Sequence, residues 1–160
     1  MEMQFDYSTY SYISIGLGMV ISLFLTETLG VMAGGIIVPG YIALYLHQPL
    51  TVLMTFFLSL LTYLIVYILS KFLLIYGRRR LILCLLLGFF LGYIFRGIKG
   101  FGIIPDNIEY IGYIIPGLIA SWMDQQGVIR TISVIIMVAS IVNLFIMLIY
   151  YFSSINLPNV

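Results

Sequence analysis

The chain is 160 residues long, 62% hydrophobic and only 8% charged, with a mean hydropathy of +1.16, whereas soluble domains carry about 25% charged residues. Those figures exclude a soluble globular domain, a disordered chain and a nucleic-acid binder, and the net charge of +1 identifies no polyanionic partner. What remains is an integral membrane protein of at most about six crossings, at about 20 residues per helical span, with no polar stretch long enough for a nucleotide-binding or hydrolase domain.

The leader Met1-Glu2-Met3-Gln4-Phe5-Asp6 is acidic and no small-residue cleavage site follows it. The apolar run 7–26 is therefore expected to be a retained span rather than a secretory signal. Residues 28–70 carry no formal charge but are too long for one span, and His47-Gln48-Pro49 divides them into segments of about 28–46 and 50–70. A basic stop follows, made of Lys71 and then Arg78-Arg79-Arg80. Residues 81–95 are apolar but short for a core of about 30 Å; the segment extends to Ile104 if Arg96 and Lys99 snorkel or face protein. Residues 110–123 are also short, and 131–152 make a full-length last span. The runs are continuous Leu, Ile, Phe and Val rather than alternating, which selects helices over a closed barrel. The expected fold is an all-α polytopic membrane protein, one integral domain over residues 1–160 with about six membrane segments.

Two of those segments resemble each other. Gly35-Ile36-Ile37-Val38-Pro39-Gly40-Tyr41-Ile42-Ala43 aligns with Gly112-Tyr113-Ile114-Ile115-Pro116-Gly117-Leu118-Ile119-Ala120 at an offset of 77, with six of nine positions identical, and Gln48 and Gln125 keep the same offset. An internal duplication accounts for this, with residues 7–76 as the first half and 81–152 as the second. Proline removes a backbone donor and crowds the preceding turn, and glycine permits a sharp change of direction. The Pro39-Gly40 and Pro116-Gly117 pairs are thus expected to break their segments or make them re-entrant. Such paired interruptions point to a functional site in a membrane protein; the plainer alternative is a kink that lets helices pack.

The positive-inside rule favours six crossings modestly. In that arrangement Lys71, Arg78, Arg79, Arg80 and Arg130 are cytoplasmic, against Arg96 and Lys99 outside. Four spans with two re-entrant segments would move Arg130 to the outside. Glu27 ends the first span and either sits at the interface or faces a polar pocket near the first break, since a carboxylate facing lipid is costly. Asp124 and Arg130 either pair or stand as ordinary loop charges. Cys84, the only cysteine, reads as a packing residue. His47 has no companion ligands for a metal. No Ser/His/Asp grouping and no phosphate loop is present, so the chain is expected not to be an enzyme by itself and to hold no cofactor or metal.

Several stretches, taken in order, carry a family resemblance: Val38-Pro39-Gly40-Tyr41-Ile42-Ala43-Leu44, Gln48-Pro49, Ser59-Leu60-Leu61-Thr62-Tyr63, Leu69-Ser70-Lys71-Phe72, Tyr76-Gly77-Arg78-Arg79, and later Ile115-Pro116-Gly117-Leu118-Ile119-Ala120. The chain resembles the small integral membrane component of bacterial poly-gamma-glutamate synthase, the PgsC/CapC family, from about Ile15 to Tyr151 and most densely over 27–80. It departs from the family pattern where Leu29 replaces a threonine and where Ala33-Gly34-Gly35 stands for Pro-Ala-Gly.

The resemblance implies a multi-pass protein in the bacterial cytoplasmic membrane, working within a synthase complex in capsule biosynthesis. A ligase related to the Mur ligases would bring ATP and Mg²⁺, a metallophosphatase-like subunit would sit at the outer side, and membrane lipid and poly-gamma-glutamate itself would be the other partners. Lys71, Tyr76, Gly77, Arg78, Arg79 and Arg80 are the expected ligase-docking or polymer-contact residues, since clustered arginines capture polyanions. Glu27, Pro39, Gly40, Tyr41, Pro116 and Gly117 are the expected residues of a conduit or helix break. Topology anchoring and headgroup binding are the simpler role for the basic cluster. Two rival functions stay open: a stand-alone small-solute transporter with inverted repeats, and a purely structural anchor.

Overall fold

The computed structural model describes residues 7–30, 34–72, 77–100 and 111–155. They form helices α1 (Tyr7–Leu29), α2 (Val38–Leu44), α3 (Pro49–Phe72), α4 (Arg78–Gly100), α5 (Ile115–Gln126) and α6 (Val128–Ile155), with no strand among the described residues. Four of them contain stretches long and apolar enough to cross a bilayer: Ser11–Thr28, Pro49–Lys71, Arg78–Ile98 and Val128–Ile149. α2 and α5, with 7 and 12 residues, are too short to cross alone, at 1.5 Å per residue.

Local chemistry sets the helix limits. Pro49 opens α3, where a missing amide costs nothing, and the Gln48 carbonyl accepts from the amides of Thr51 and Val52. Lys71 lies in the last turn of α3, where a cation suits the helix dipole. α4 runs past residue 95 to Gly100 and carries Arg96, exposed, near its end. Its guanidinium donates to the Tyr113 hydroxyl and lies 5.9 Å from the centroid of that ring.

The core is built around the two short helices. Val38, Ile42 and Ala43 of α2 and Ile115, Ile119 and Met123 of α5 are buried against Ile135, Val138, Ala139, Val142 and Ile146 of α6. The outer faces of the long helices stay apolar and exposed, as at Phe24, Phe57, Leu86, Phe90 and Leu144. Burial of apolar groups inside a bilayer is no driving force, so an exterior as apolar as the core is what a lipid solvent produces.

Contacts along the helices set their directions. α4 starts beside the end of α5, through Arg80 and Asp124. Farther along α4, Phe89 meets the Tyr113 ring at 5.5 Å between centroids, and Arg96 meets the same tyrosine. The chain over 113–126 therefore returns antiparallel to α4 along most of its length, and α6 leaves again from the α4 start. Thr55, near the start of α3, accepts the Ile111 amide at 2.9 Å, so α3 begins at the end where α4 finishes. Gly34, past the end of α1, packs against Ile135 near the start of α6.

The Pro-Gly pairs fall at helix starts rather than inside helices. Pro39 and Pro116 occupy the first turns of α2 and α5, after Ile37 and Ile114 as helical-φ/ψ caps. The irregular backbone lies just upstream, over 34–37 and 111–114. A proline is tolerated where the helix needs no amide, so it marks the resumption of the helix rather than its interruption.

Candidate functional site

The region around each Pro-Gly pair is a backbone-to-backbone contact. A Cβ placed on Gly18 of α1 would lie 2.5 Å from Gly40 Cα and 2.6 Å from Gly40 N. One placed on Gly40 would lie 2.8 Å from Ile15 Cα and 2.9 Å from the Ser14 carbonyl oxygen. Only glycine lets the two backbones meet this closely. The buried Ser14 hydroxyl donates to the Gly40 carbonyl at 3.0 Å and fixes the register. The second half carries the same arrangement. A Cβ on Gly88 of α4 would lie 2.7 Å from Gly117 Cα, and one on Gly117 would lie 2.7 Å from the Cys84 carbonyl oxygen. Cys84, buried, occupies the place that Ser14 holds against α2.

The two halves differ in what lines the opposite side of the short helices. The face of α3 toward α5 buries Thr51, Thr55, Ser59 and Thr62. Thr55, Ser59 and Thr62 each donate to the carbonyl four residues back, at 2.7, 2.6 and 2.8 Å, which satisfies the hydroxyl within its own helix. Thr51 donates to Gln48 Oε1 at 3.2 Å. The buried side of α6 is mostly apolar, with Ile135, Val138 and Val142, and its buried polar residues are Thr131 and Asn143.

Five of the seven basic residues gather at one end of the bundle. Lys71 closes α3, Arg78, Arg79 and Arg80 open α4, and Arg130 lies in the first turn of α6. Arg80 is the member with a counter-charge: it is bridged to Asp124, with side-chain exposures of 28% and 11%, so the pair is shielded from solvent. Asp124 thus pairs with Arg80 on another helix and not with Arg130, its neighbour in sequence. Arg78, Arg79 and Arg130 are exposed, and the exposed Lys71 ammonium lies 4.9 Å from the Tyr67 ring centroid. Gly77, at φ +64°, makes the turn into α4.

The sequence-derived candidates are distributed as follows. Pro39, Gly40, Pro116 and Gly117 are buried, and Tyr41 is half-buried against the core. Glu27 is exposed near the end of α1. Lys71, Gly77, Arg78 and Arg79 stay exposed, while Arg80 turns inward to Asp124. Tyr76 lies outside the described residues. Sequence reasoning missed Gly18 and Gly88, and left Asp124 between a pair with Arg130 and an ordinary loop charge. The spacing Ser14-x-x-x-Gly18 against Cys84-x-x-x-Gly88 was the available signal, a pair of small residues one turn apart in each half. Nothing local to Asp124 points 44 residues back to Arg80.

This architecture defines a class: a helical membrane protein whose two short, proline-initiated helices pack between bilayer-length ones, α2 against α1 and α6 and α5 against α3, α4 and α6. Residues 17–132 match the family described as "Capsule biosynthesis CapC", and the chain belongs to that family. It is 40% identical over 144 residues to "Capsule biosynthesis protein CapC" of Bacillus anthracis, covering 88% of this chain and 95% of that protein. It is 42% identical over 124 residues to "PGA biosynthesis protein CapC" of Bacillus subtilis (strain 168), covering 75% of this chain and 82% of that one. No solved structure matches the chain.

Proposed function

We propose that this chain is the integral membrane subunit of a poly-gamma-glutamate synthase, an accessory to an ATP-dependent ligase that it holds at the basic end of the bundle. The observation that carries the reading is the exposed set Lys71, Arg78, Arg79 and Arg130 at one end of the bundle, in a chain of the CapC family. By the positive-inside rule that end is cytoplasmic, the side on which a nucleotide-dependent ligase finds its ATP.

In the same reading the chain crosses the cytoplasmic membrane six times, as two inverted halves over about 7–76 and 81–152. The alternating helix directions support this, as do the twin contacts of Gly18 with Gly40 and Gly88 with Gly117. The irregular stretches ahead of α2 and α5 flank the route of polymer export, with Glu27, Tyr41 and the Pro-Gly pairs beside them. Non-helical backbone at membrane depth is tolerated only when buried in protein or facing water, which supports a polar route there. On the outer side, a metallophosphatase-like protein completes the assembly.

Replacing Arg78 and Arg79 by Gln tests the docking claim. Loss of the ligase from a mild-detergent pull-down, with the membrane level of this chain unchanged, is expected. Unchanged ligase recruitment and polymer yield refute it. Solute flux in liposomes with this chain alone would instead favour a stand-alone transporter.

A further inference from the structure

We infer that the irregular stretch 34–37 binds a water molecule that joins the Ser22 hydroxyl of α1 to the Trp122 indole N–H of α5. The inference concerns the interior of the bundle and does not depend on the proposed synthase role.

Ser14, Gly18 and Ser22 lie at successive turns on one face of α1, and all three are buried. The first two touch α2. The Ser14 hydroxyl donates to the Gly40 carbonyl, and a Cβ on Gly18 would meet backbone atoms of Gly40 and Pro39. The order of those contacts sets α1 antiparallel to the chain that leads into α2. One turn farther along α1, about 5.4 Å, Ser22 is level with the irregular backbone ahead of Pro39. Ser22 is 1% exposed, and its hydroxyl oxygen has no hydrogen-bond partner among the described residues. The buried hydroxyls of Thr55, Ser59 and Thr62 are all bonded within their own helix. A buried hydroxyl left unbonded is costly, so Ser22 calls for a partner that is not a side chain of the bundle.

A second donor reaches the same stretch from another helix. A Cβ on Gly35 would lie 3.4 Å from Trp122 Nε1, so the polar edge of the indole stands against that backbone. The Trp122 N–H donates to none of the described residues. Gly34 and Gly35, at φ +69° and +107°, turn the chain here. Among the described residues, the carbonyls of Gly34, Gly35 and Ile36 accept no backbone amide.

These groups select a neutral ligand that both accepts and donates. The lone pairs of one water oxygen take the two side-chain donors, and its protons go to carbonyls of the stretch; buried waters make about three such bonds. An anion would meet Val38, Ile135 and Trp122 beside the two glycines, none of them a cation, and an unpaired charge in such surroundings costs far more than a neutral molecule. The second half closes its break with protein instead. Thr55 Oγ accepts the Ile111 amide at 2.9 Å, and the residue one turn past Gly88, where Ser22 follows Gly18, is Gly92, which has no hydroxyl. The duplicated breaks therefore share the glycine contact but not the means of satisfying their backbone.

Trp122 is the only tryptophan of the chain, so its emission, excited beyond tyrosine absorption in the purified full chain, reports on this place. Wild-type emission is expected to rise on transfer from light to heavy water. Ser22→Ala is expected to shift it to shorter wavelength and to reduce the isotope response. The same substitution should lower the folded-to-unfolded ratio by about fivefold in a dodecyl sulfate titration, because a bonded hydroxyl is lost. Ser14→Ala, which removes a hydroxyl bonded to protein, should lower stability without moving the spectrum. A wild-type emission indifferent to heavy water overturns the inference, and this measurement needs no variant. An isotope response that Ser22→Ala leaves intact also overturns it, since solvent then reaches Trp122 from the bilayer surface. So does a more stable Ser22→Ala, which shows the hydroxyl to be dry, or an equal spectral shift in Ser14→Ala, which shows general loosening.

Discussion

Adding one methyl group at Gly18 should open the bundle, while the same methyl at Gly16, two residues away on the same helix, should not. A Cβ at Gly18 would sit 2.5 Å from Gly40 Cα and 2.6 Å from Gly40 N, both backbone atoms. A Cβ at Gly16 meets nothing within 4 Å. Carbon atoms pack at about 3.5–4.0 Å, so α1 and α2 must part by about 1 Å in Gly18→Ala. No side-chain rotation relieves the clash, and the bond from Ser14 to the Gly40 carbonyl, 3.0 Å long, stretches with it. Overpacking of this kind costs about 1–3 kcal/mol. Both substitutions gain the same helix preference of alanine over glycine, about 1 kcal/mol, so their difference isolates the clash. Titration of the detergent-solubilised protein with sodium dodecyl sulfate, followed by circular dichroism, measures it. Gly18→Ala is expected to unfold at a lower detergent fraction than Gly16→Ala, by about 1–3 kcal/mol in free energy. Coincident transitions for the two variants would refute the close-contact argument. The second half repeats the comparison with Gly88→Ala, whose Cβ would lie 2.7 Å from Gly117 Cα, against Gly97→Ala, which meets nothing within 4 Å.

Two further outcomes follow from single side chains. Thr55→Val removes the acceptor of the Ile111 amide and leaves a buried donor unpaired, at a cost of about 1–3 kcal/mol; Ser59→Ala removes a hydroxyl bonded only to its own helix and should change stability by less than about 1 kcal/mol, as the same detergent titration will show. Arg80→Asp or Asp124→Arg alone places like charges together across α4 and α5, and each should destabilise by about 1 kcal/mol or more. The double exchange Arg80→Asp with Asp124→Arg should recover most of the loss in a double-mutant cycle, and additive losses would show that the pair is not coupled.

These contacts bear on function through the two short helices. α2 and α5 are held on one side by backbone contacts that admit only glycine, and on the other by α6 and α3 respectively. Their positions are therefore rigid at the Pro-Gly turn. The glycine contacts leave no gap between α1 and α2 or between α4 and α5 at those turns.

Much of this architecture is written in composition and order. A chain with 8% charged residues and long apolar runs has to be helical in lipid, since every backbone group must be satisfied within its own segment. The limits of the long helices follow from where Lys71 and the three arginines stop the runs. The likeness of residues 35–43 to 112–120 was legible because Pro-Gly is rare in apolar segments, and the family resemblance rested on the same residues.

The sequence could not say which helix each Pro-Gly turn touches, because Gly18 and Gly88 carry no side chain whose chemistry reveals a partner. It left Asp124 between two assignments, because an ion pair over 44 residues depends on two helix starts meeting at one end. It expected each segment to be broken or re-entrant around its Pro-Gly pair without saying on which side, because proline's penalty is local; the irregular stretch lies upstream and the pair falls in the first turn of the helix that follows. The sequence by itself determined that the chain is all-helical, with long apolar runs of the kind that cross a membrane, and where along the chain its basic cluster stands, since solvent and charge act on each residue where it stands. Tertiary structure alone decided which arginine is paired, which are exposed and how closely the short helices are held, since these depend on distances between residues the chain keeps far apart.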